Sequence, residues 1–107
     1  TLMPQFSVYK NLDKNSRNAY PYFVDIQNSL LSDLNTRLVI PFAKPSSLRS
    51  TEVERLCPVI PINGRDYVLL THQLTSVPIS TLSKEESSIE PFRYEILDAI
   101  DMLITGI

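Results

Sequence analysis

Short apolar runs, separated by turn-forming residues about every ten positions, occupy the chain from Phe6 to Ile79. Such spacing is typical of a β-sandwich or a small barrel. Alternating or continuous apolar residues predict strands at 5–9, 22–27, 37–40 and 77–79. We expect the third strand to stop at Pro41, because proline has no N–H to donate to a sheet. The pattern therefore predicts a mostly β domain.

The clearest local signal is a hairpin. Asn63 and Gly64 separate the apolar runs 59–62 and 65–70, and both central residues of a type I′ turn need the positive φ that Asn and Gly tolerate best. Pro61 lies in the first of these runs, so we expect this strand at an edge or bulge of the sheet.

The polar segments between the strands carry weaker patterns. Residues 10–19 are predicted to form a mobile loop. Residues 28–35, which contain Leu30 and Leu31, predict either a short helical turn or a loop with exposed leucines. A one-turn helix is predicted to begin near Pro45, and residues 51–54 are predicted to be a loop or a strand edge.

After Ser83 the apolar spacing changes to three and four, which predicts an amphipathic helix. Its apolar positions are Ile89, Phe92, Ile96, Ile100 and Leu103. Ser87 and Glu90 fit a capping box, Pro91 fits the first turn, and Gly106 fits a C-terminal cap.

The end of this helix is acidic. Asp98 and Asp101 lie in its last turns, where the negative end of the helix dipole disfavours carboxylates by a few tenths of a kcal/mol. Two interpretations follow: a solvated helix face, or a site for a basic partner, with arginine favoured over lysine.

Composition narrows the function classes. The 107 residues carry a net charge of −2, so we expect one domain over residues 1–107 with no strong nucleic-acid electrostatics. We expect no membrane span and no signal peptide. One cysteine excludes an internal disulfide framework and favours a cytoplasmic location.

The inventory of catalytic side chains is small. His72 and Cys57 are the single histidine and the single cysteine, and Gly64 and Gly106 are the two glycines. A protein-only zinc site and a glycine-rich phosphate loop are therefore not expected. Cys57 and His72 make a nucleophile pair only if the fold brings them together. We expect no catalytic residue, no metal and no cofactor.

Six segments in order resemble the CcdB family, the toxin half of toxin–antitoxin pairs. They are residues 5–9, 22–27, 38–43, 58–60, 76–80, and the end formed by 98–100 with Gly106 and Ile107. The loop 11–18 looks a few residues longer than in the well-known plasmid member of the family.

The resemblance implies an SH3-like barrel with a strongly bent antiparallel sheet of five or six strands, a small extra sheet and a C-terminal helix. It implies a homodimer with the two helices near the dyad. Family toxins bind the dimerisation region of the gyrase A subunit and trap the cleaved-DNA complex without catalysis. A cognate antitoxin with a disordered tail removes the toxin, and the pairs serve plasmid maintenance. Direct nucleic-acid or membrane binding is not implied.

The resemblance also implies site residues. The gyrase-facing set is Phe6, Leu30, Leu31, Asp101, Thr105, Gly106 and Ile107. The antitoxin-facing set is Lys10, Asn11, Lys14, Arg17, Ser46, Ser47, Leu48, Leu70 and His72.

One position departs from the family. The usual ending is Trp-Gly-Ile, whose tryptophan stacks on a gyrase arginine, whereas this chain has Thr105 there and no tryptophan at all. A cation–π contact of about 0.5–2 kcal/mol is thereby removed. Either the chain is an inactivated variant, or it contacts gyrase through Asp101, Ile104 and Ile107.

Two other functions compete with this one. A ribonuclease toxin of the related MazF type would need a base and a cluster of cations around an RNA groove, whereas Arg37, Arg49, Arg55 and Arg65 are scattered along the chain. A plain SH3-like binding module would be a monomer, whereas the toxin is expected to be a dimer.

Overall fold

The computed structural model describes residues 4–45 and 51–106. The strands within these ranges are β1 (Ser7–Asn11), β2 (Tyr22–Asp25), β3 (Thr36–Ala43), β4 (Val59–Ile62), β5 (Arg65–Leu69), β6 (Thr75–Pro78) and β7 (Leu82–Ser88). The helices are α1 (Thr51–Leu56) and α2 (Arg93–Thr105). Neither of these two helices is long and apolar enough to cross a membrane.

The described strands form one curled antiparallel sheet in the order β4-β5-β3-β2-β1-β7, with β6 also paired to β3. This half-barrel with its C-terminal helix confirms the predicted SH3-like class. The expected strand count was wrong, because the seven strands belong to one sheet rather than to a main and a small sheet.

Apolar side chains are buried on both faces of the central strands. Alternate residues of β1, β2 and β3, including Val8, Val24 and Ile40, pack with Ile96 of α2. The intervening residues form a second cluster of Tyr9, Phe23, Val39 and Leu82 on the opposite face. The bent sheet thus has a core on each side, which is why its central strands show few exposed positions.

Strand β3 continues through Pro41, contrary to the prediction. The Pro41 carbonyl accepts a hydrogen bond from Leu70 N–H at 2.9 Å, so the proline nitrogen faces the same side of the strand. On that side β3 pairs first with β6 through residues 36–39 and then with β5 through 42–43. Pro41 lies between these two partners, where the ladder requires no donor.

The hairpin prediction is confirmed. Ile62 pairs with Arg65 across a two-residue loop, and Asn63 and Gly64 have φ of 51° and 84°. Strand β4 lies at one end of the sheet order, so Pro61 occupies an edge strand as expected.

Three local predictions were wrong. Residues 51–54 belong to α1, which packs against α2. Residues 82–88 form β7, which within the described part of the chain pairs with β1 alone and is therefore an edge strand. Its sequence is polar and mostly exposed, so it lacks the period-two apolar signal. Since Ser87 is in β7, it cannot cap the helix, and α2 begins after Phe92 without a side-chain cap. Pro91 does lie in the short 3-10 turn Glu90–Phe92, and Gly106 caps α2 with φ of 74°.

A buried ion pair joins β2 and β3. Arg37 and Asp25 are both 0% exposed, and Arg37 Nη2 and Nε lie 2.7 and 2.8 Å from Asp25 Oδ2. Asp25 Oδ1 accepts the Gln27 backbone N–H at 2.9 Å. Burial raises the pKa of Asp25, and the bonds from Gln27 and Arg37 oppose that shift. The pair is tolerated in the core because both charged groups are hydrogen-bonded.

Arg37→Met should lower the free energy of unfolding by about 3–5 kcal/mol, because it leaves the Asp25 carboxylate buried without its cation. Adding Asp25→Asn removes that charge and should recover at least half of the loss. Urea unfolding followed by circular dichroism measures both variants. A double variant that is less stable than Arg37→Met would contradict this assignment.

Candidate functional site

The strand register sorts the predicted site residues to two ends of the sheet. Lys10 pairs with Tyr22, Tyr22 with Phe42, and Phe42 with Leu69, which defines one end. At the other end, Asp25 pairs with Val39, and the segment that contains Leu30 follows directly after β2. Predicted gyrase residues Leu30 and Leu31 therefore lie at the end opposite to the predicted antitoxin residues Lys10 and Leu70.

The chain beyond β2 forms a 3-10 turn, Ser29–Leu31, which we call the leucine turn. Asn28 caps it, since Asn28 Oδ1 accepts the Leu30 N–H at 2.9 Å. Leu30 is 88% exposed and Leu31 is 50% exposed. Of the two interpretations of this segment, the short helical turn is confirmed, and its leucines are exposed as well.

Buried side chains of the core hold the leucine turn by hydrogen bonds to its backbone. The Leu31 carbonyl accepts hydrogen bonds from Gln27 Nε2 at 3.0 Å and from Arg37 Nη1 at 3.3 Å. Gln27 Oε1 accepts the Leu38 N–H at 3.0 Å. The turn that presents Leu30 is thus bonded directly to the buried ion pair.

Phe6 is buried, although the resemblance implies that it faces gyrase. Its side chain is 1% exposed and packs in the core beneath α2. Its φ of 68° is unusual for a residue other than glycine. The guanidinium carbon of Arg93 lies 5.7 Å from the centre of the Phe6 ring, within cation–π range. The side chain of Phe6 therefore packs beneath Arg93 at the start of α2 and is not itself exposed to a partner.

The end of α2 is exposed. Asp101, Ile104, Thr105 and Gly106 all reach solvent, and Ile104 is 75% exposed. The Thr105 hydroxyl donates to the Asp101 backbone carbonyl at 2.7 Å. Ile107, also predicted to face gyrase, lies outside the described residues.

The acidic end of α2 has an internal counterion. Arg55 of α1 donates from Nε and Nη2 to the two carboxylate oxygens of Asp98, each at 3.1 Å. The hydrogen bond from Arg55 lowers the pKa of the Asp98 carboxyl below its ordinary value. In one interpretation of the sequence, a partner protein would supply an arginine to the acidic helix end. For Asp98 that arginine is Arg55 of the same chain. Asp101 forms no ion pair among residues 4–45 and 51–106.

The residues predicted to face gyrase lie near both ends of α2. Gln5 N–H donates to Ser29 Oγ at 3.3 Å, and the next residue, Phe6, lies under Arg93 at the start of the helix. The leucine turn is thereby linked to the beginning of α2, whereas Thr105 lies about 18 Å further along the axis at 1.5 Å per residue.

The loop after β1 is ordered by its own hydrogen bonds. Asn11 is 4% exposed, and its Nδ2 donates to Ser16 Oγ and to the Tyr20 carbonyl. The Asp13 carbonyl accepts the N–H of Ser16 and of Arg17. The predicted loop is present over residues 12–19, although β1 extends through Asn11. The Asn11 side chain faces inward, where it offers no surface to a partner.

The cations of this end are exposed. Lys14 and Arg17 reach solvent on the loop, and Lys10 Nζ lies 3.5 Å from a carboxylate oxygen of Glu86. This end therefore exposes the cations Lys10, Lys14 and Arg17 together with the carboxylate of Asp13, and Lys10 already lies close to an acid of β7.

Two further antitoxin candidates follow β5, and one of them, His72, lies beside Cys57. Leu70 is half-buried and bonds to Pro41, while His72 is exposed. The fold brings Cys57 Sγ to 3.4 Å from His72 Nδ1, which the sequence had left open. Cys57 itself is buried, as expected. The predicted antitoxin residues Ser46, Ser47 and Leu48, with the one-turn helix near Pro45, lie outside the described residues.

Sequence reasoning missed Gln27 and Arg55. A glutamine at the end of a strand and an arginine in an unrecognised helix carry no motif; only their partners reveal them. Among the described residues, no group of three His, Cys, Asp or Glu side chains is placed to hold a metal ion.

Asp98→Asn should lower the urea midpoint of unfolding at about pH 7, because it removes the carboxylate that Arg55 binds. The folded-state pKa of Asp98 is lowered, so its contribution is present above the ordinary aspartate pKa and disappears as the pH falls through the lowered value. The difference from the unmodified chain should therefore disappear once the solution is acidic enough to protonate Asp98 in the folded protein.

Asp101→Asn is the matched control, because it changes the same kind of side chain one turn later on α2. It should leave the midpoint unchanged or raise it slightly, since a carboxylate at the helix end opposes the dipole. Equal losses in both variants would exclude a specific Arg55–Asp98 bond.

Comparison with known protein families agrees with this arrangement. The model of the CcdB protein family matches residues 5–106, nearly the whole chain. The match includes the leucine turn, the Lys10–Arg17 loop and the end of α2 up to Gly106. The curled sheet, the C-terminal helix and this match lead to the same conclusion, that the chain belongs to the CcdB family.

Proposed function

We propose that this protein is the toxin of a toxin–antitoxin pair, that it binds the dimerisation region of the gyrase A subunit, and that it traps the gyrase complex with cleaved DNA. Its family is one of toxins of this type. The observation that carries the proposal for this chain is the leucine turn, which exposes an apolar side chain at 88% while its backbone is bonded to the core.

An exposed leucine on a rigid support is suited to recognition. Isolated apolar side chains are common on surfaces, but Leu30, Leu31 and Leu34, each at least 50% exposed, lie within five residues of one another. Because the turn is already ordered, binding to it would cost little conformational entropy. The proposed activity needs such a preformed surface and no catalytic group.

The end of α2 would supply the second contact. Asp101 is an exposed carboxylate and Ile104 an exposed apolar side chain beside it. In a homodimer with the two helix ends near the dyad, these groups would meet a two-fold partner twice by symmetry. Asp101 and Ile104, together with Ile107, would replace the contact that the family tryptophan makes.

The antitoxin would bind at the other end of the sheet and remove the toxin from gyrase. Exposed Lys14 and Arg17, the region of Leu70 and His72, and the segment 46–48 would form its path. A disordered tail loses entropy when it orders on a surface, so an extended path of this kind is what it would need.

Leu30→Ser should weaken binding to a gyrase A dimerisation fragment by about tenfold or more, because burial of a leucine side chain contributes about 1.5–3 kcal/mol. Isothermal titration calorimetry measures the dissociation constant. Stability should be unchanged, since Leu30 is exposed in the unbound protein.

Val59→Ser is the control, because Val59 is an exposed apolar residue on the edge strand β4. It should leave gyrase affinity within about twofold. Failure of the unmodified chain to bind at concentrations on the order of tens of micromolar would overturn the proposed function. RNA cleavage without gyrase would favour the MazF-like alternative, and a monomer in light scattering would favour a plain binding module.

Thr105→Trp should tighten gyrase binding by about two- to thirtyfold, because it restores an aromatic face for an arginine, worth about 0.5–2 kcal/mol. Tyr94→Trp places the same side chain at an exposed position near the start of α2 and should have no such effect. An unchanged dissociation constant for Thr105→Trp would show that the end of α2 is not the gyrase contact.

A further inference from the structure

Gln27 and the Arg37–Asp25 pair do more than stabilise the sheet. We propose that they are positioning residues for the leucine turn: they hold the Leu31 carbonyl, and through it they keep Leu30 in the orientation that a partner binds. This inference rests on the proposed function for its binding readout, and on hydrogen exchange for a readout that is independent of it.

The geometry joins the two features by short bonds. The Asp25 carboxylate accepts the Gln27 backbone N–H at 2.9 Å and the Arg37 guanidinium at 2.7 Å. Gln27 Nε2 and Arg37 Nη1 then both donate to the Leu31 carbonyl, at 3.0 and 3.3 Å. A single carbonyl of an exposed turn thus receives two donors from the core.

Burial makes this connection strong. Asp25 and Arg37 are fully buried, and Gln27 is 9% exposed. Because an unsatisfied buried polar group is costly, these donors are strongly driven to keep their acceptor. The side chains of Leu30 and Leu31 contribute little packing energy that would hold the turn in place, since they are at least half exposed. The buried donors Gln27 and Arg37 are therefore one of the supports that fix the position of the turn.

The second support of the turn is at the surface. Asn28 is exposed, and its side chain accepts the Leu30 N–H. Loss of this cap would loosen the same turn without changing any core residue. Two independent routes to a looser turn, one through Gln27 and one through Asn28, should therefore have the same effect on binding.

Gln27→Met tests the core route, because methionine keeps the length and burial of the side chain but neither donates to Leu31 nor accepts from Leu38. We expect amide exchange at Leu31 and Ser32 to be at least tenfold faster than in the unmodified chain. We expect the gyrase-fragment dissociation constant to rise about tenfold at a temperature where the variant is fully folded. Asn28→Ala should change both quantities in the same direction.

Asn11→Leu is the matched control. Like Gln27→Met, it removes a buried side-chain amide. The Asn11 amide lies at the last residue of β1, and the two hydrogen bonds that it donates and the one that it accepts hold the loop at the other end of the sheet. Asn11→Leu should lower stability to a similar extent and speed exchange in residues 13–20, while gyrase affinity stays within twofold.

The outcomes separate this inference from the proposed function. If the unmodified chain does not bind the gyrase fragment, the proposed function fails, and exchange at the leucine turn still tests the positioning role. If exchange at Leu31 is unchanged in Gln27→Met, or if Asn11→Leu weakens gyrase binding as much as Gln27→Met does, the positioning role is wrong.

Discussion

The buried ion pair between Arg37 and Asp25 is the interaction on which the surface of this protein depends. Two charges without solvent contact persist only where each polar atom has a partner. Those partners are the backbone of Gln27, the side chains themselves and the carbonyl of Leu31. The need to satisfy these buried charges thereby fixes how β2 packs beside β3. It also helps to fix the position of the exposed turn that follows β2. The stability of the sheet and the position of the leucine turn, which we propose as a recognition surface, therefore depend on the same hydrogen-bond network.

The sequence was informative where local chemistry dominates. The Asn63-Gly64 turn and the Gly106 cap both require positive φ, and both were predicted. It was misleading where tertiary context dominates. Pro41 is tolerated within β3 because two different strands pair on either side of it, and β7 lacks an apolar pattern because it lies at an exposed edge. Neither arrangement can be read from neighbouring residues.

The site shows the same division. The exposed leucines and the acidic end of α2 were identified from the sequence. The resemblance to the CcdB family is what led us to assign them to a gyrase contact. The residues that support or modify them, Gln27 beneath the turn and Arg55 beside Asp98, became visible only as contacts between distant segments. Asn11 and Phe6 were predicted to face partners, and both are buried. Their side chains shape the surfaces on which their neighbours are exposed.

We propose that the gyrase surface consists of one end of the sheet and the exposed end of α2. Nuclear magnetic resonance of the isotope-labelled chain, titrated with unlabelled gyrase A dimerisation fragment, tests this assignment most directly. We expect the largest changes in amide signals at Leu30, Leu31, Asp101 and Gly106. Changes confined to residues 10–20 and 70–73 would contradict it, because they would place gyrase on the surface assigned to the antitoxin.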